Sequence, residues 1–256
     1  MSDPGVSYSV ANRIARISLN RPPVNALNLD TVRAIVAAFR RAAADDEARA
    51  VLLTSAVPRR FCAGLDLAVL LGKSSEQVRE FLQALYVDLH DAQYNLGKPS
   101  TAAVGGAARG GGMTIAISCD VILASKQATF GYPEINIGVL PAIHFAHLPR
   151  IVGRHRAFEL LFSGRSFDAQ EAHDLGLVSK IVPDAELDAT AVALAADFAA
   201  KSPAVTRLAR AAFMRQNDLD YRRSVASAVE DFCNVAATVA AQEGIRAFLE
   251  KRTPNW

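Results

Sequence analysis

The sequence predicts an α/β fold, a body of mixed strands and helices followed by an all-helical C-terminal portion. Short β-branched and leucine-containing runs at 51–54, 101–104 and 121–124 alternate with stretches whose apolar residues recur at helical spacing. Glycine loops follow two of the strand ends, at Gly64 and at Gly105-Gly106. Beyond Ala185 the β-branched clusters give way to an alanine-rich helical pattern, so residues 1–195 read as the core and 196–256 as a helical oligomerisation region.

Val6, Tyr8 and Val10 alternate with polar residues, as do Ile14, Ile17 and Leu19, which predicts an antiparallel hairpin turning near Asn12. Arg21-Pro-Pro-Val-Asn-Ala-Leu27 breaks the pattern, since neither proline can donate to a ladder. Val32, Ile35, Val36 and Phe39 mark a helix over 31–44, and 51–54 reads as a short buried strand. Ser74-Ser-Glu-Gln77 carries a capping pattern for a long helix running to about Asn95, closed by Lys98-Pro99. Strands at 101–104, 121–124 and 129–130 come next, then helices over 142–152 and 156–162. Asp168-Ala-Gln-Glu171 reads as a second capping box and 178–182 as one more strand. The tail divides into helices over 191–200, 203–215 behind Ser202, 221–241 and 244–250. A helical tail that cannot bury its apolar side on itself covers it on the main body or a neighbouring subunit, so an oligomer is expected.

Half of the 256 residues are apolar and the formal charge is only +2, enough chain for a sizeable core and no charge signal for a nucleic-acid partner. Three cysteines, Cys62, Cys119 and Cys233, are odd in number and far apart. That spacing argues against a disulfide framework and for a reducing, cytoplasmic setting. The segment Met1-Ser-Asp-Pro-Gly5 has no basic stretch followed by an apolar one, and no apolar run has the length of a membrane span, so neither export nor a membrane anchor is expected.

The chemistry concentrates in Ala107-Ala-Arg-Gly-Gly-Gly-Met-Thr-Ile-Ala-Ile-Ser-Cys-Asp120. Consecutive glycines remove every Cβ and let the loop present bare N–H groups at the first turn of the following helix, a setting for a developing negative oxygen or a phosphate. The plainer reading is a close helix-to-sheet contact. A dinucleotide fingerprint fails because no G-x-G-x-x-G is present, and a phosphate-binding Walker loop fails for want of a following Gly-Lys-Ser/Thr.

Three stretches in order, Phe61-Cys-Ala-Gly-Leu-Asp-Leu67, Lys98-Pro through Arg109-Gly-Gly-Gly112 to Cys119-Asp120, and Phe130-Gly-Tyr-Pro-Glu134 with Gly138 and Pro141, resemble the crotonase superfamily, the enoyl-CoA hydratase/isomerase family. Residues 21–27, Leu148-Pro-Arg-Ile-Val-Gly153 and the closing Glu250-Lys-Arg-Thr-Pro-Asn-Trp256 extend the resemblance over nearly the whole chain. It implies a crotonase-like spiral of ββα units, with C-terminal helices that build a homotrimer, often paired into a hexamer. It further implies an acyl-CoA substrate whose coenzyme A is part of the substrate, with no separate cofactor and no metal. The family's two main-chain donors to the thioester oxygen match the N–H groups of Leu65 and Gly111. Its coenzyme A contacts match Ala63, Asp66, Leu67 and the loop at Val24, with Arg59 near the nucleotide phosphates. A solvated turn is the plainer reading of Arg59, and a helix cap that of Asp66.

Hydratases of the family use two glutamates sharing one water; here the second is Glu134, while the first position holds Thr114. A hydroxyl does not ionise near neutral pH, and one acid/base partner is worth about 10²- to 10⁴-fold in rate. One carboxylate suffices for the family's enoyl-CoA isomerases, which shuttle a proton between C2 and C4. The sequence therefore favours enoyl-CoA isomerisation in fatty-acid metabolism, with a one-glutamate enoyl-CoA hydratase as the alternative and a weakly catalytic acyl-CoA-binding scaffold as an alternative of another class. Ala142-Ile-His-Phe-Ala-His147 stands where the family commonly has a glycine-rich run, so the acyl pocket is expected to be reshaped. His144 and His147 could supply a second titrating group, although a structural role is the commoner one for helix histidines near an apolar face. Cys62 reads as a small buried hydrophobe.

Overall fold

A computed structural model describes residues 4–217 and 221–255. The chain opens with the expected hairpin, β1 (Val6–Ala11) against β2 (Ile14–Leu19), turning at Asn12 and Arg13, both at positive φ. After the proline-containing strap, α1 (Leu29–Ala44) starts at Asn28, whose side chain accepts from the Thr31 N–H.

From there the chain winds as a spiral. Each turn lays one strand on a large sheet, one on a small sheet, and then a helical layer. The large-sheet strands are β3 (Ala50–Ser55), β5 (Ser100–Val104), β7 (Val121–Ser125) and β10 (Lys180–Val182), parallel to one another, with β2 and β1 extending the edge beyond β3. The small sheet runs β4 (Arg60–Cys62), β6 (Ala107–Arg109), β8 (Thr129–Gly131) and β9 (Ser166–Asp168), the first three parallel and the last antiparallel. Parallel neighbours need a crossover between them, and the helices supply it: α2 (Ser75–Leu82) and α3 (Leu89–Tyr94), α4 (Gly111–Ile117), then α5 (Ala142–Val152) and α6 (Arg154–Ser163). The short α7 (Ala169–Asp174) leads to β10, and α8 (Leu187–Ala199) packs across β2, β3, β5 and β7.

Local chemistry accounts for most boundaries. Ser74 and Gln77 form the full reciprocal capping box at α2. The expected long helix is not uniform, however: Gln83–Asp88 widens into a π segment between α2 and α3. At Asp168 the side chain accepts from the Glu171 N–H, but the Glu171 carboxylate goes to Arg165, so the second capping box is only half formed. Strands β6 and β9 were not expected, and the strand over 178–182 contracts to β10 because Val178 belongs to the turn after α7.

The tail comprises α9 (Pro203–Asn217), α10 (Tyr221–Ala236) and α11 (Val239–Leu249). The helix expected over 221–241 ends at Ala236, where Thr238 turns the chain and caps α11 by accepting from the Ala241 N–H. The division between 195 and 196 lies within α8, and Trp256, the end of the closing stretch, lies outside the described residues. Arg210 ties α9 to the body: its guanidinium donates twice to the Asp120 carboxylate at 3.0 Å and once to the Tyr94 carbonyl. Val205, Leu208 and Phe213 on the same helix are exposed. Among the described residues no helix is long and apolar enough to cross a membrane.

Candidate active site

Three adjacent strands of the small sheet, β4, β6 and β8, each end in a segment that turns toward one cavity. After β4, Ala63 donates to the Val24 carbonyl at 3.0 Å, and Leu65 pairs with Leu27 in an isolated parallel bridge. Leu27 donates to the Gly64 carbonyl at 2.7 Å and accepts from Asp66 at 2.9 Å. In a parallel bridge the flanking residues make those bonds, so the N–H of Leu65 itself points to the opposite side. The strap behind this loop is held by Asn25, whose buried amide donates to the Phe61 carbonyl and the Ser55 hydroxyl.

After β6, Gly110 adopts φ 49° and ψ −115° and hands the chain to α4, whose first residue is Gly111. Its N–H belongs to the group of first-turn donors with no partner inside the helix. The two glycine loops are in close contact. A Cβ on Gly64 would lie 3.4 Å from the Gly111 nitrogen, and one on Gly112 would lie 2.3 Å from the Cys62 carbonyl oxygen. A Cβ on Gly111 would meet Leu65 Cδ1 at 2.8 Å. The packing reading and the donor reading of the glycine run are therefore compatible: Gly112 lets α4 sit on the β4 end, and Gly111 keeps the space beside Leu65 open.

After β8, Tyr132 leads into a 3₁₀ turn, Pro133–Ile137, closed by Gly138 in the left-handed region. Glu134 is 9 % exposed, and its Oε1 lies 2.9 Å from where a Gly110 Cβ would be. Its Oε2 is buried without a hydrogen-bond partner. Desolvation dominates such a carboxyl and pushes its pKa up to about 7.

Gly64, Leu65, Gly111 and Glu134 line one cavity of about 240 Å³, closed from the C-terminal side by Phe232 of α10 and Phe248 of α11. Ala63 and Leu67 also line it. Asp66 does not: its carboxylate receives Arg21 at 3.0 Å and caps the short turn Leu67–Val69 through the Ala68 N–H. Arg59 is exposed, with φ 58° and its carbonyl accepting from Ala107. Val24 reaches the cavity wall only through its bond to Ala63.

Thr114 lies elsewhere. It is buried, its hydroxyl 3.3 Å from His144 Nε2, and it lines a separate cavity of about 340 Å³ together with His147. His144 Nε2 is also 3.4 Å from the Gly110 carbonyl oxygen, and its ring centroid lies 4.5 Å from that of Tyr132. Burial drives the His144 pKa down to about 3, and desolvation with the nearby Arg150 charge drives His147 down to about 4. Burial holds both imidazoles toward the neutral form. Cys62 is buried and its thiol is pushed up to about 12, which leaves it unreactive.

Sequence reasoning missed Phe232 and Phe248, because a phenylalanine in an alanine-rich helical tail carries no local sign of what it will cover. It also missed the Thr114–His144 pair, although both residues stood out singly. Among the described residues no cluster of three or more His, Cys, Asp or Glu is placed to hold a metal ion.

Residues 9–256 match the family model for enoyl-CoA hydratase/isomerase. The short-chain-enoyl-CoA hydratase of Clostridium acetobutylicum is 34% identical over 242 residues, covering 94% of this chain and 92% of that protein. The crotonyl-CoA hydratase of Syntrophomonas wolfei is 34% identical over 246 residues, 95% and 94% of the two chains. Among solved structures, an enoyl-CoA hydratase/isomerase from Pseudoalteromonas atlantica superposes with a TM-score of 0.86 at 31% identity, covering 98% of this chain and 99% of that one.

Proposed function

Since this chain belongs to the enoyl-CoA hydratase/isomerase family and is an acyl-CoA enzyme, we propose that its reaction is the isomerisation of an enoyl-CoA by a single carboxylate. The observation that carries this reading is the division of the two acid/base positions. Glu134 is the one carboxylate among the described residues lining the cavity, whereas Thr114, at the other position, carries no carboxylate and has its hydroxyl 3.3 Å from His144 Nε2.

In the proposed reaction the thioester oxygen accepts from the Leu65 and Gly111 N–H groups. The Glu134 carboxylate takes a proton from C2 of a 3-enoyl thioester, and the C–H electron pair passes into the carbonyl to give a dienolate. The carboxylic acid so formed returns the proton at C4 while the C3–C4 double bond becomes C2–C3. No water is consumed and one group both takes and gives the proton. A pKa of about 7 suits both directions near neutral pH. Main-chain donors are already fixed, and loss of one such donor in other enzymes costs about 3 to 4 kcal/mol.

Hydration is the second reading, favoured by the hydratase names of the relatives. It would require Glu134 alone to activate water. An acyl-CoA-binding scaffold is the reading of another class, and the retained, buried Glu134 argues against it. The exposed Val205, Leu208 and Phe213 of α9 support assembly into a trimer or a hexamer, and three dispersed cysteines support a reducing, cytoplasmic setting. The deciding experiment offers matched 2-enoyl-CoA and 3-enoyl-CoA thioesters of short and medium chain, following double-bond migration and 3-hydroxyacyl product separately. Migration without hydration is expected; fast hydration overturns the isomerase reading, and inertness toward both with retained thioester binding favours the scaffold.

A further inference from the structure

We propose that His144 is a positioning residue that fixes and polarises the peptide unit between Gly110 and Gly111, whose N–H is one of the two donors to the thioester oxygen. This rests on the donor role given above to Gly111. The same peptide unit carries both groups concerned: its carbonyl is that of Gly110, 3.4 Å from His144 Nε2, and its N–H is that of Gly111.

The hydrogen on the imidazole can be assigned from its neighbours. The Gly110 oxygen can only accept, so contact with Nε2 is attractive only if Nε2 carries the hydrogen. Nδ1 is buried and has no partner. With the hydrogen on Nε2, Nδ1 is an unfilled acceptor; with the hydrogen on Nδ1, a buried donor would be orphaned and a lone pair would face the carbonyl. Orphaned buried N–H groups are the rarer and costlier case. The Nε2–H is therefore shared between the Gly110 oxygen and the Thr114 hydroxyl, 3.3 Å away. The Gly110 oxygen also accepts from the Thr114 N–H at 3.1 Å, so the carbonyl end of the peptide is held from two directions.

The device suits this position. Gly110 has no Cβ and lies at φ 49°, where the backbone of a glycine has unusual freedom to reorient. A donor on the carbonyl opposes that rotation. It also draws electron density toward the carbonyl oxygen, which makes the N–H at the other end of the unit a better donor, as in any hydrogen-bonded chain. The Tyr132 ring, packed against the imidazole, keeps the ring in place.

The experiment uses full-length protein in the Glu134→Gln background, which prevents turnover, and a conjugated 2,4-dienoyl-CoA as the probe. Its absorption band moves to longer wavelength when the thioester oxygen is polarised. The shift should be large with His144, much smaller with His144→Phe or His144→Asn, and regained with His144→Gln, whose amide nitrogen reaches the place of Nε2 as that of asparagine does not. With Glu134 intact, His144→Phe should lower kcat about tenfold, which is about 1.4 kcal/mol, while KM stays within about twofold. Urea unfolding of each variant verifies folding, and His144→Asn carries the comparison if the phenylalanine variant does not fold. A band shift that is the same in all His144 variants overturns this proposal alone. No band shift even with His144 present overturns the donor pair, and this proposal with it.

Discussion

Glu134→Gln should stabilise the protein at the pH where it disables it. The folded protein holds the Glu134 proton up to pH about 7, whereas an unfolded chain releases it near the ordinary 4.5. Between those values the unfolded state has lost a proton that the folded state still binds, so stability falls as pH rises through the window and is flat above it. At about 1.4 kcal/mol per pH unit the full loss is about 3 kcal/mol. Glutamine fills the same space without ionising. By urea or thermal unfolding, Glu134→Gln should therefore exceed the parent by up to about 3 kcal/mol at pH 8, roughly 6 to 12 °C in Tm for a chain of this size, and match it within about 1 kcal/mol at pH 5. The converse, a variant no more stable at pH 8, or equally more stable at both pH values, would refute the claim that burial and not a lost contact sets this carboxyl.

The same group sets a pH profile: kcat/KM on a 3-enoyl-CoA should rise as pH increases through about 7, as the carboxylate base forms, and a profile flat from pH 5.5 to 8 would assign the base elsewhere. Gly112→Ala places a Cβ 2.3 Å from the Cys62 carbonyl, a main-chain clash no rotamer relieves, so a loss of about 3 kcal/mol or more is expected in urea unfolding. Arg210→Ala removes a mostly buried ion pair with Asp120, but the Ser100 N–H and hydroxyl still donate to that carboxylate; a loss of about 2 to 3 kcal/mol is expected, and less than 0.5 kcal/mol would show α9 to be held by its apolar contacts alone.

What the sequence made legible was the part specified locally. The hairpin is encoded in alternation, α1 in its apolar spacing, α2 in its cap, and the two glycine loops in the glycines themselves. The strands of the small sheet were harder. Ala107-Ala-Arg109 has no β-branched residue, and its extended form is imposed by β4 on one side and β8 on the other. The π segment and the break after Ala236 were likewise hidden, since apolar spacing continues across both. In the site, Glu134, Leu65 and Gly111 stood out because each lies in a short segment with its own signal. The partners of Thr114 did not, because His144 is thirty positions away and only the crossover from β8 into α5 brings it back over Gly110.

The segments carrying Leu65, Gly111 and Glu134 issue from three neighbouring rungs of one parallel sheet. Neighbouring rungs stand about 4.8 Å apart whatever joins them. The connections between those rungs, α2 with α3 and then α4 with β7, differ greatly in length. The spacing of the reacting groups is thus a property of the ladder and not of the crossovers. Insertions and deletions in the helical layers can accumulate without moving the donors relative to the base, while a single side-chain change at a rung end alters the chemistry. A lineage built this way can diversify its reactions residue by residue and its shape loop by loop, with little interference between the two.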